Sequence, residues 1–134
     1  MVAPQLTRNQ SLVFDALTNA EGPLSAYTIL DKLRDHGFRA PLQVYRALDK
    51  LLEFGLVHRL ESLNAFVACA HRHDHEHEHG VTAFAICEDC GQVTEICDPG
   101  MEERLSVLAG LQHFKTEKTT IEMRGHCRNC SCGV

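Results

Sequence analysis

The hydrophobic pattern of the chain changes near its midpoint. Up to Gly55 the apolar residues recur at helical spacing, and beyond it they alternate with polar residues. The first part predicts three helices, because each apolar stripe is bounded by residues that typically start or stop a helix. These boundary residues are Glu21, Gly22 and Pro23 after the first helix, Ser25 and Gly37 around the second, and Pro41 and Gly55 around the third.

The alternating part begins with a predicted β-hairpin. Its strands are residues 56–60 and 65–68, which flank a short polar turn. Three helices followed by a two-stranded ribbon are typical of a winged helix-turn-helix. Farther along, the pattern predicts a small α/β module with strands at 81–86, 92–96 and 114–123 and a helix at 99–111.

We therefore predict an α+β protein with two functional parts. An N-terminal winged-helix DNA-binding domain would span 1–68, and a histidine-rich hinge or loop would span 69–80. A small α/β dimerisation and metal-binding domain, containing a zinc knuckle of four cysteines, would span 81–134.

Composition and charge are those of a folded chain with an unusual second half. The 134 residues are 44% hydrophobic and 23% charged, which is ordinary for a globular protein. No apolar run reaches the ~18 residues of a membrane span. No secretory signal follows Arg8, so we expect a cytoplasmic protein with reduced thiols. All seven cysteines lie after residue 68, where the net charge of −5 is also concentrated.

Two C-x-x-C pairs are the strongest chemical signal in the chain. Each pair can bring two thiolates to one tetrahedral Zn²⁺, and two pairs complete a closed structural site. A redox dithiol is the competing interpretation, but it would need only one pair. We therefore predict a structural zinc site formed by Cys87, Cys90, Cys127 and Cys130.

A histidine-rich run at 71–79 contains two protease-like zinc motifs, H-E-x-x-H and H-x-x-E-H. Alternating histidines generate such matches by composition alone, and the run has no apolar residue to form the back of a catalytic helix. We therefore expect no enzyme. A zinc hydrolase and a zinc store that use this run remain the alternatives from other functional classes.

One or two of these histidines are also candidates for a second metal site. His58 lies on the first hairpin strand, Cys69 follows the second, and Glu95 lies on a later predicted strand. With His77 or His79 they would supply one thiolate, two imidazoles and a carboxylate, a set that favours zinc over hard ions such as Mg²⁺.

With these motifs, the chain resembles the ferric uptake regulator superfamily and, within it, the zinc uptake regulators. The segment 39–49 is similar to the family's recognition helix, with its Val-Tyr-Arg-x-Leu core at 44–48. The two C-x-x-C pairs match the family's structural zinc knuckle. His58, Cys69 and Glu95 match its zinc-sensing ligands, with His79 favoured over His77 as the fourth. Iron-sensing relatives usually lack the cysteine, although an iron- or peroxide-sensing member is the nearest rival.

The resemblance implies a zinc-responsive repressor of zinc-uptake genes. When zinc-loaded, it would bind a palindromic double-stranded DNA operator as a homodimer, with one or two dimers per operator. It would carry one structural and at least one regulatory Zn²⁺ per chain, and would use neither a membrane nor a small organic substrate. Some members carry an accessory metal site at positions matching His77, Glu102 and His126 here.

The third helix supplies the candidate DNA contacts. Arg46 can bind guanine O6 and N7, a contact worth ~1–3 kcal/mol of discrimination. Tyr45 can pack on a thymine methyl group or reach a phosphate, and Gln43 can bind either a base or a phosphate. The remaining candidates are phosphate contacts, namely Arg39, Lys50, Arg59 and Arg8. The competing interpretation is a solvated helix face with intrahelical ion pairs.

Three further residues have simpler predicted roles. Asp31 and Arg34 are one helical turn apart, so we expect an intrahelical salt bridge rather than a contact with a neighbouring dimer. Cys97 is expected to be buried at the end of a strand.

Overall fold

The computed structural model describes residues 5–69 and 81–131. The chain divides into two compact units, Met1–Ala70 and His71–Val134, which are described separately. Within the described ranges no helix has both the length and the apolar character needed to cross a bilayer.

The first unit contains the three predicted helices and the predicted hairpin. The helices are preceded or stopped close to the predicted boundary residues, which confirms that part of the interpretation. The elements are α1 (Arg8–Thr18), α2 (Ala26–Leu33), α3 (Pro41–Glu53), β1 (Val57–Leu60) and β2 (Ala65–Ala68).

Local signals account for the ends of these helices. The hydroxyl of Ser25 accepts the backbone N–H of Thr28 and caps α2. A short 3₁₀ turn continues α2 and ends at Gly37, whose φ of 97° a side chain would rarely adopt. Pro41 occupies the first turn of α3, where its missing N–H leaves no hydrogen bond unmade.

The core of the first unit lies between the helices and the hairpin. Val13 of α1, Ile29 of α2 and Leu48 of α3 are fully buried in one apolar cluster, which also includes Phe66 of β2. The backbone of Phe66 pairs with Leu24 through two hydrogen bonds of 2.8 and 3.0 Å. These bonds attach the hairpin, which forms the wing, to the segment between α1 and α2.

In its described residues, the second unit has a three-stranded sheet, one long helix and one short helix. The sheet order is β4-β3-β5, with β4 antiparallel and β5 parallel to the central strand. The elements are β3 (Val81–Cys87), β4 (Val93–Ile96), α4 (Pro99–Leu111), β5 (Thr119–Gly125) and α5 (Arg128–Ser131).

Two expectations for the second unit need correction. The strand predicted from residue 114 begins at Thr119, because the backbone at 112–114 turns back onto the end of α4, where the N–H of Phe114 donates to Ala109. Cys97 was expected to be buried but is exposed, because β4 is an edge strand that ends one residue earlier. The short helix α5 was not predicted.

Candidate metal centres and nucleic-acid interface

Strand pairing brings the two C-x-x-C loops together. The parallel register of β3 and β5 places Cys87 opposite Gly125, so the first loop begins beside the segment that leads into the second. The N–H of Glu88 donates to the carbonyl of Gly125 across this junction at 2.8 Å. Cys127 follows two residues later and donates its backbone N–H to Sγ of Cys87 at 3.3 Å.

Three sulfur atoms form what we call the cysteine cluster. Sγ atoms of Cys87, Cys90 and Cys127 all lie within 4.8 Å of one another, and those of Cys90 and Cys127 are 3.7 Å apart. The backbone N–H groups of Cys90 and Cys127 lower the pKa of Cys87 to about 6, because they stabilise its thiolate. Thiolates this close together fit Zn²⁺, which cysteine thiolates bind in a tetrahedral geometry.

For the fourth predicted ligand, Cys130, the structure describes the backbone only. Cys130 lies in the short helix α5, three residues after Cys127. Its side chain, like Cys132, lies outside what the structure describes. Its role as a ligand therefore stays a prediction, which the C-x-x-C spacing supports.

The cysteine loops also contain a polar pair that the sequence interpretation missed. Nδ1 of His126 lies 2.6 Å from Oδ2 of Asp89, and this contact raises the pKa of His126. The two residues are far apart in sequence, and each is adjacent to a cysteine rather than part of a recognisable motif. His126 was predicted only as a candidate for the accessory site.

The first unit holds two of the predicted regulatory ligands close together. His58 lies on β1 opposite Val67, and Cys69 follows β2 with its backbone N–H bonded to the carbonyl of Leu56 at 2.8 Å. Cys69 is buried, as is Nε2 of His58. A ligand nitrogen of His58 and Sγ of Cys69 lie within 4.8 Å of each other. A thiolate beside an imidazole is a donor pair suited to zinc.

The other predicted metal ligands belong to the second unit. Glu95 is half-buried on β4, opposite Phe84. Glu102 lies in the first turn of α4. His77 and His79 fall outside the described residues, as does the whole run at 71–79, so the choice between them and the accessory site stay predictions.

The outer face of α3 carries the residues predicted to read DNA bases. Tyr45 is 38% exposed and Arg46 is exposed, while Val44 and Leu48 on either side of them face the core. Lys50 is also exposed, and its Nζ lies 3.2 Å from Oε2 of Glu53. This loose surface pair leaves the side chain able to exchange its partner for a phosphate.

Three other candidates make contacts within the unit. Oε1 of Gln43 accepts the backbone N–H groups of Arg39 and Ala40 at 2.6 and 3.0 Å, so it caps the start of α3. Its amide NH₂ group would therefore be the part offered to DNA. Arg8 donates to the carbonyl of His36 at 2.9 Å, which links α1 to the turn before α3.

Arg59 of the hairpin and Arg34, which follows α2, are both paired locally. Arg59 lies on β1, with Nη2 3.4 Å from Asn64 and Nε 3.8 Å from Glu61. Nε of Arg34 lies 3.0 Å from Asp31, which confirms the expected intrahelical salt bridge.

Comparison with known proteins agrees on one family. The profile of the Ferric uptake regulator family matches residues 4–124. The Zinc uptake regulation protein of Escherichia coli (strain K12) is 39% identical over 127 residues, which are 94% of this chain and 72% of that protein.

Two solved structures are similar over almost the whole chain. One is a zinc uptake regulator complexed with zinc and DNA, with 36% identity, a TM-score of 0.88 and coverage of 96% of this chain and 85% of that one. The other is holo XcZur, with 35% identity, a TM-score of 0.86 and coverage of 98% and 89%.

Proposed function

Because this chain belongs to the ferric uptake regulator family, we propose that it is a zinc-responsive DNA-binding repressor of zinc-uptake genes. The observation that carries this proposal is the closeness of His58, on the wing of a winged-helix unit, to Cys69, directly after it. A soft metal-binding pair in the DNA-binding part of the chain couples metal to DNA recognition. The similarity to a zinc uptake regulator solved with zinc and DNA supports it.

Two kinds of zinc site follow from the donor chemistry. The structural site is formed by Cys87, Cys90, Cys127 and Cys130, and leaves no coordination position for a substrate. The regulatory site is formed by His58, Cys69, His79 and Glu95. The accessory site of His77, Glu102 and His126 remains a proposal that rests on resemblance alone.

The regulatory ligands come from both halves of the sequence. His58 and Cys69 belong to the winged-helix unit, whereas His79 and Glu95 follow in the second. When bound, zinc would supply a cross-link among these side chains and so favour the arrangement of the units that suits DNA. Coupling of this kind is reciprocal, so operator DNA tightens zinc binding by the same factor.

DNA recognition depends on geometry more than on charge. A net charge of −5 gives little general attraction to a polyanion. Arg46 and Tyr45 would contact base edges from α3, and the basic side chains around them would contact phosphates. Two α3 helices held at a fixed spacing would then be needed for a palindromic site.

The second unit supplies a surface for that pairing. Helix α4 exposes Val107, Leu108 and Leu111, the last at 69%, and Phe114 just beyond it is 66% exposed. Apolar side chains grouped in this way mark contact surfaces. A second copy of the chain would cover them, giving the homodimer.

The central test measures zinc-dependent DNA binding with a matched cysteine control. Duplexes selected from a random pool by the zinc-loaded chain would serve as operator, with affinity followed by fluorescence anisotropy at fixed salt. Cys69→Ser is expected to abolish the zinc response, because it removes a buried ligand. Cys97→Ser, which changes an exposed thiol outside the site, is expected to retain it. An equal zinc response in Cys69→Ser would contradict the regulatory site.

The same assay tests metal choice and base recognition. Titration with Zn²⁺, Fe²⁺ and Mn²⁺ should give the strongest response with zinc, whereas a stronger iron response would favour the iron-sensing alternative. Arg46→Ala should weaken binding to the selected duplex about tenfold or more, since a guanine contact is worth ~1–3 kcal/mol. Lys32→Ala, which removes an equal charge from α2, is the control.

A further inference from the structure

A side-chain contact joins the two cysteine loops. Asp89 lies inside the first C-x-x-C sequence, and His126 immediately precedes the first cysteine of the second. Although 37 residues separate them, Oδ2 of Asp89 and Nδ1 of His126 are 2.6 Å apart. Their side chains are 52% and 53% exposed, so the contact stands at the surface rather than in a core.

Backbone hydrogen bonds join the two cysteine loops where β3 ends. Glu88 is bonded to Gly125, and the N–H of Cys127 is bonded to the sulfur of Cys87. Both bonds act where β3 ends. Cys90 lies farther along the turn, where its Sγ is 3.7 Å from that of Cys127 and its neighbour Asp89 bonds to His126 in the second loop.

We infer that Asp89 and His126 are a positioning pair that holds the two cysteine loops together for zinc. The inference deepens the proposed structural zinc site and rests on it. Thiolates brought close together repel one another, and ordering two loops costs conformational entropy. A bond between the loops that exists before the metal arrives reduces that cost, as preorganisation does for other ligands.

A neighbouring ion pair offers a matched control. Glu88 lies beside Asp89 in the same loop, and its Oε1 is 3.7 Å from Nε of Arg124. The backbone N–H of Glu88 already bonds to Gly125, so the ends of β3 and β5 stay joined when the side chain of Glu88 is removed. Glu88→Ala therefore removes the same charge at nearly the same place without removing the proposed bond.

The test measures how fast the structural zinc leaves the full-length chain. Protein treated with a mild chelator until one zinc per chain remains would be mixed with an excess of a strong chromophoric chelator. Asp89→Ala and His126→Ala are each expected to release zinc about two- to fivefold faster, the range that an exposed pair allows. The double variant should release it no faster than either single variant, because both remove one bond.

A conservative variant separates hydrogen bonding from charge. Asp89→Asn keeps an oxygen acceptor without the charge, and is expected to release zinc at a rate between those of wild type and Asp89→Ala. Asp89→Ala removes a negative charge and His126→Ala removes a positive one when His126 is protonated, so an effect of charge alone would change their release rates in opposite directions and make Asp89→Asn equal to Asp89→Ala. Opposite signs of this kind would overturn the proposal.

Two further outcomes would also contradict it. Release rates for Asp89→Ala and Glu88→Ala that are both equal to wild type would show that the pair does not position the loops. A wild-type chain that retains no zinc after mild chelation would contradict the structural site itself, and the positioning pair with it. Alkylation of the metal-free thiols gives a second readout, since separated loops should react faster.

Discussion

The two units of this chain differ in how much apolar surface each one buries within itself. The first has an apolar cluster drawn from all three helices and the hairpin, with Val13, Ile29, Val44 and Leu48 fully buried. In the described part of the second unit, the buried apolar side chains all lie on one strand, β3. Helix α4 of that unit buries none of its residues.

Because of this difference, we expect the second unit to need a further source of stabilisation. A short α/β segment with so little buried area cannot offset the entropy of ordering its chain by hydrophobic burial alone. Zinc bound to the cysteine cluster and a second copy of the chain over α4 would supply the missing stabilisation. The first unit has an apolar core of its own, so we expect it to fold without either.

Removal of a cluster thiolate should have the largest effect. Cys87→Ser is expected to abolish amide protection throughout the described second unit, because the proposed structural zinc would couple metal binding to folding there. Protection in α1 to α3 should persist. Hydrogen exchange followed by mass spectrometry measures both regions in one sample, and an equal loss in both units would contradict the comparison.

A cavity in the helical core should destabilise the first unit and leave the second unchanged. Leu48 is fully buried, so Leu48→Ala is expected to lower the free energy of unfolding of the first unit by about 2–5 kcal/mol. The second unit should be unaffected if zinc holds it. Urea denaturation monitored by residue-resolved NMR would test this, with the exposed Leu42→Ala as the control.

A charge on the exposed face of α4 should act on assembly rather than on folding. Leu111→Lys places a cation where a second copy would bury a leucine, and is expected to weaken the dimer by about tenfold or more. Sedimentation at several concentrations gives the dissociation constant. An unchanged constant would mean that the contact surface lies elsewhere.

Loss of a helix cap should have the smallest effect. Ser25→Ala removes the side-chain acceptor for the N–H of Thr28, and should cost roughly 1 kcal/mol of stability in the first unit. Thr18→Ala is the control, because that hydroxyl only bonds to a carbonyl within its own helix. A change in zinc content with Ser25→Ala would contradict the expectation that the first unit is stabilised independently of zinc binding in the second.

The sequence by itself determined most of the elements and the chemical types of the candidate sites. Ser25, Gly37 and Pro41 act within a few residues of themselves, so the boundaries they predict agree with the structure. The C-x-x-C spacing indicates a tetrathiolate site because two thiolates on one tight turn are near each other in any fold. His58 and Cys69 could be chosen because the predicted hairpin already brings the ends of its two strands together.

Contacts between distant segments were decided only by the tertiary structure. The parallel pairing of β3 with β5 aligns the cysteine loops, and it joins segments that are far apart in the sequence. The Asp89–His126 pair and the cap that Gln43 gives to α3 follow from geometry that no local pattern encodes. The exposure of Cys97 has the same origin, because whether a strand lies at the edge of a sheet depends on its neighbours rather than on its own residues.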